Sequence, residues 1–73
     1  MSITIPLRPG MTLEELAERV EHALAEGATS IVFSDLARAT GEVEQLLPLF
    51  GARLVLRGVE VDYVEHHPVP LAS

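Results

Sequence analysis

The stretch Thr12-Leu13-Glu14-Glu15-Leu16-Ala17-Glu18-Arg19-Val20-Glu21-His22-Ala23-Leu24-Ala25-Glu26-Gly27 carries the strongest helix signal in the chain. Thr12 stands where an N-cap belongs, and Glu15 follows three residues on, which makes a capping box. Leu13, Leu16, Ala17, Val20 and Leu24 recur at helical spacing and form one apolar stripe. Glu14, Glu18, Arg19 and Glu21 take the outer side. Gly27 sits where a left-handed residue ends a helix. A helix apolar along one side must lie on another layer, and strand-like segments flank this one.

Upstream, Ser2 to Leu7 alternates, with Ile3, Ile5 and Leu7 on one face and Ser2, Thr4 and Pro6 on the other. Pro6 lacks a ladder donor and suits an edge strand or a strand end. Arg8-Pro9-Gly10-Met11 places Pro and Gly as a type II turn requires. Downstream, Thr29 to Ser34 is short and apolar in the middle, with Ile31 and Phe33 on one face and Val32 on the other. Strand, helix and strand of these lengths predict a βαβ unit: two parallel strands joined by a right-handed crossover.

From Asp35 onward the pattern is less uniform. Leu36, Ala39, Val43, Leu46, Leu47 and Phe50 fit one long helical face, but Gly41 inside it costs about 1 kcal/mol against Ala. A loop followed by a helix from Glu42 towards Phe50, capped near Thr40, is the preferred reading. Pro48 bends or tightens that helix, because its ring clashes one turn back, and Gly51 ends it. Leu54 and Leu56 then alternate, as do Val59, Val61 and Tyr63, with the parity switching across Gly58. A turn at Arg57-Gly58 pairs Leu54 with Val61 and Arg53 with Asp62, which predicts a hairpin over Ala52 to His66. One bulged, continuous strand is the alternative. The expected architecture is an α/β (α+β) two-layer sandwich in the order β-α-β-α-β-β. Its mixed sheet has three to four strands, with two helices on one face. Residues 1–67 form one domain, and 68–73, punctuated by Pro68 and Pro70, form a tail.

The 73 residues carry a net charge of −6, with five Arg, no Lys and no Cys. Without cysteine, disulfides and thiolate metal sites are excluded. The Arg residues are scattered rather than gathered on one face, which argues against nucleic acid. No apolar run approaches membrane-spanning length, and no signal peptide opens the chain. A cytoplasmic protein without a cofactor is expected.

Three candidate sites emerge. Ser34 and Asp35 close the second strand, where open α/β sheets place ligands; Arg38, Thr40 and Gly41 follow at a helix start receptive to anions. The ordinary alternative is a capped turn with a solvent-facing Arg. His22, His66 and His67 are the only nitrogen ligands. The last two are adjacent and point apart on a strand, so no metal is expected to organise the protein. The sheet face away from the helices is expected to carry Thr4, Pro6, Ser30, Val32, Arg53, Val55, Arg57, Glu60, Asp62 and Val64. Its Val32–Val55–Val64 centre and charged rim suit either a solvated face or a self-association surface.

The element order resembles two small families. Sulfur-carrier proteins of tRNA thiolation share it, with a Cys-Pro at the first helix where this chain has Pro9-Gly10; thiol-based sulfur transfer is therefore not implied. STAS-like domains, including anti-sigma-factor antagonists, are similar in Ile31-Val32-Phe33-Ser34-Asp35 followed by Thr40-Gly41 opening a helix. These resemblances imply a regulatory domain that binds a small ligand or anion. The residues themselves favour a non-catalytic interaction or oligomerisation module, most simply a homodimer.

Overall fold

The computed structural model describes residues 1–65; His66, His67 and the tail from Pro68 to Ser73 lie outside the described residues. Strands and helices alternate as β1 (Ser2–Pro6), α1 (Leu13–Ala25), β2 (Ser30–Ser34), α2 (Gly41–Leu56) and β3 (Glu60–Tyr63), with a 3-10 turn over Leu36–Arg38. Among the described residues the sheet has three strands in the order β1-β2-β3, and both neighbouring pairs are parallel. The small α/β architecture is as expected. The fourth strand and the mixed sheet are not present among these residues.

Local chemistry explains α1 well. The Met11 N–H donates to the Arg8 carbonyl at 3.2 Å, and Gly10 at φ 78° completes the type II turn. Thr12 Oγ1 accepts the Glu15 N–H at 3.1 Å. The Glu15 carboxylate does not complete the capping box; it pairs instead with Arg8 and, at 3.5 Å, with Arg19. At the other end Gly27 adopts φ 93°, and the Ala28 N–H reaches back to the Ala23 carbonyl at 3.1 Å. That is a Schellman stop, and the two alanines it joins are both buried.

The second half departs from expectation. Residues 52–56 continue α2 instead of forming a strand, so neither the hairpin nor the bulged strand exists, and Arg53 does not face Asp62. Pro48 removes one helical hydrogen bond and costs about 3 kcal/mol or more in a helix interior. Beyond it, continuing the helix buries Leu54 and packs Phe50 against the core, on the side that Val43 and Leu47 already bury. A buried side chain of this size stabilises by roughly 1.5–3 kcal/mol, so the two together offset the proline. Gly58, at φ 86°, is the true stop: its N–H donates to the Val55 carbonyl at 2.9 Å and that of Val59 to Leu54 at 3.0 Å.

Both crossovers therefore end in the same motif and hand the chain to the next parallel strand. Inward rows of the sheet are Ile3–Ile31–Val61 and Ile5–Phe33–Tyr63; the rows between them are Ser2–Ser30–Glu60 and Thr4–Val32–Asp62. Ile5, Ile31 and Phe33 join Leu16, Val20, Val43, Leu47 and Leu54 in one buried core, with Val61 packed against it. The inward rows are apolar and the outer rows are mostly polar, so one sheet face carries both helices while the other lacks them.

Candidate interaction surface

α2 presents the core with Val43, Leu47, Gly51 and Leu54. Its other side is unusually apolar for a surface. Leu46 is 37% exposed, Leu49 54%, Val55 60% and Leu56 87%. Leu46 was grouped with the inward residues on sequence grounds; it faces out, because Val43 and Leu47 already fix the direction of the core. Residues 42, 46, 49, 53 and 56 repeat at steps of four and three. At 3.6 residues per turn they share an arc of about 80°. Glu42 and Arg53 lie in that stripe with the three leucines, and neither forms an ion pair among the described residues. Beside it, Arg57 reaches Glu21 of α1 at 3.4 Å. Pro48 lies off the stripe, towards Tyr63.

This rearranges the surface expected from the sequence. Val32, Glu60, Asp62 and Val64 belong to the helix-free side or its border, whereas Arg53, Val55 and Arg57 belong to α2 and its cap. The Val32–Val55–Val64 cluster is consequently absent: Val55 is on the helical layer. What remains of the open face is led by Ser2, Thr4, Ser30, Glu60 and Asp62, a composition suited to water. The signal for the α2 surface was present as the four-three spacing, but it was obscured by ending the helix at Gly51.

The other candidate residues do come together, since they follow one another in the β2–α2 connection. Ser34 is fully buried and donates to Asp35 Oδ2 at 3.2 Å. Asp35 takes a left-handed conformation, φ 58°, that turns the chain out of β2. Arg38 is exposed on the 3-10 turn. Thr40 is the α2 N-cap, but its Oγ1 accepts the Gly10 N–H at 3.1 Å rather than capping its own helix. Thr40 and Gly41 with Gly10, Met11 and Thr12 border a depression of about 270 Å³, and Glu42 stands at its rim.

Two other concavities bear on the chemistry. One of about 420 Å³ runs along β1 beneath Glu15, Glu18, Arg19, His22 and Glu26, with carboxylates in excess. The other, about 300 Å³, is walled by Leu36, Ala39, Leu47, Pro48 and Tyr63. Burial pushes the Tyr63 phenol above its ordinary pKa. Its hydroxyl donates to the Leu47 carbonyl over a long 3.5 Å. Among the described residues no group of three His, Asp or Glu could hold a metal ion, and no helix is long and apolar enough to cross a membrane. Compared with known proteins, the chain matches no family model, no curated sequence and no solved structure.

Proposed function

We propose that this domain is a small non-catalytic interaction module that docks through the outer side of α2. The observation that carries this reading is the stripe Leu46–Leu49–Leu56, exposed on a single rigid helix of 16 residues. Apolar side chains lined up on one element favour contact with another protein, since their burial is the main non-directional drive for association. A domain this small also gains stability from such burial. The anion-binding alternative at Arg38, Thr40 and Gly41 has weaker support. Glu42 and Glu14 supply negative charge near the two helix starts, and the Thr40 hydroxyl is already engaged.

A photoreactive residue replacing Leu49, compared with one replacing Thr4 on the open sheet face, tests the reading in cells that make the protein. Cross-linked adducts from position 49 and none from position 4 are expected. Adducts from position 4 alone would move the interaction to the sheet, and none from either would remove it.

A further inference from the structure

We infer that the occupant of the α2 surface is a second copy of this chain, its α2 packed antiparallel about a two-fold axis; this rests on the reading of α2 as a docking face. The argument is charge complementarity along the stripe. Glu42 lies at the start of α2 and Arg53 near its end, with Leu46 and Leu49 between them. Place the axis between Leu47 and Pro48. Leu46 then meets Leu49 of the second copy, and Glu42 meets Arg53. Two-fold symmetry makes each pair twice. Leu56 overhangs the start of the other helix at Thr40-Gly41, where Gly41 offers no side chain to obstruct it. A parallel arrangement would instead set Glu42 against Glu42 and Arg53 against Arg53, which is repulsive.

The surrounding charge strengthens the case for a self-contact. The chain has 11 acidic residues and five Arg, and three of those Arg (Arg8, Arg19 and Arg57) are paired with Glu15 or Glu21. Arg53 is exposed on the apolar stripe, and Glu42 and Arg53 have the same midpoint as Leu46 and Leu49, so one two-fold axis serves both pairs. Pro48 points away from the stripe and leaves the helices free to approach.

Size sets the strength. A 16-residue helix is about 24 Å long, and one such face falls short of the ~800 Å² per partner of a standard stable interface. A contact of this size belongs with reversible interfaces, and association in the micromolar range is the expected outcome.

Sedimentation equilibrium of the full chain, from about 10 to about 500 µM, tests this range of affinity. Arg53→Glu and Glu42→Arg each create two like-charge contacts in a self-pair and should weaken association at least about tenfold. Mixing the two variants restores both attractive pairs, so a heterodimer of near wild-type affinity is expected. Both positions are exposed, and unchanged unfolding midpoints at low concentration verify folding. A wild-type chain that stays monomeric overturns the second copy as occupant; adducts from position 49 would then still uphold the docking face. Association weakened by Leu49→Glu but indifferent to both charge variants overturns the antiparallel pairing alone. Association indifferent to Leu49→Glu overturns the second copy as occupant of this face, and the docking face itself then stands or falls with the position-49 adducts.

Discussion

At Gly51 the backbone of α2 lies close against the Tyr63 side chain. A Cβ there would overlap Tyr63 Oη and lie 3.0 Å from its Cζ. The glycine is thus a notch for a ring that also stacks on Phe33, centroids 5.8 Å apart. Ala is better than Gly in a helix by about 1 kcal/mol, yet overpacking costs about 1–3 kcal/mol. Gly51→Ala should therefore destabilise the wild-type chain and, with Tyr63→Ala already made, stabilise it. A double-mutant cycle by urea unfolding reads that change of sign; additive effects would mean the ring does not occupy the notch. The same residue makes a pH prediction. With a raised folded pKa, Tyr63 keeps its proton after the unfolded chain has lost it. Stability must then fall as pH climbs past about 10, the ordinary tyrosine value. Tyr63 is the sole tyrosine and lysine is absent, so Tyr63→Phe should flatten the alkaline slope. It should cost less than about 1 kcal/mol at neutral pH, because the hydrogen bond it loses is long.

Each helix owes its place to different information. Leu16 on α1 is fully buried, and Leu16→Ala should cost about 2–5 kcal/mol, the range for buried leucine truncations; an unchanged unfolding midpoint would remove it from the core. α1 was legible because its cap, its stripe and its glycine stop all lie within sixteen residues of sequence. α2 was legible only as far as Phe50. Pro48 and Gly51 look like punctuation locally; one is offset by apolar side chains packed on the core beyond it and the other answers to Tyr63, twelve residues on. Leu54 reaches the core from a helix, not from the strand expected over this stretch. The real boundary, Gly58, is marked by a parity switch that a helix-to-strand exchange produces as readily as a hairpin does. Its φ of 86° is disfavoured for any residue with a Cβ, so Gly58→Ala should destabilise by about 1 kcal/mol or more. A comparable loss at Gly27→Ala is expected, since both glycines close Schellman stops; calorimetric unfolding of the two variants checks it.

The molecule as a whole combines a one-sided helical layer, a polar open sheet face and a surplus of negative charge. Parallel sheets are commonly covered on both faces; here the polar outer rows let water serve on one of them. Ser34, Asp35, Arg38, Thr40 and Gly41 lie together in the β2–α2 connection simply because they follow one another closely in the chain. The expected interface mixed two layers, because its pairings depended on a hairpin that α2 replaces. Self-association through the helical layer has a consequence for the entire fold: binding that favours only the folded state raises apparent stability with concentration. The unfolding midpoint of the wild-type chain should rise as concentration increases through the micromolar range, while that of Leu49→Glu stays constant. Salt separates the two electrostatic contributions. Two copies of net charge −6 repel over a Debye length of about 30 Å at 0.01 M salt, a range that shrinks to about 8 Å at 0.15 M. The Glu42–Arg53 contacts are short-range and lose less over that interval. Association should consequently strengthen from low to physiological salt, and thermal scans across concentration at both ionic strengths measure it. Weakening over the same interval would mean that the two local pairs, rather than leucine burial, supply most of the attraction.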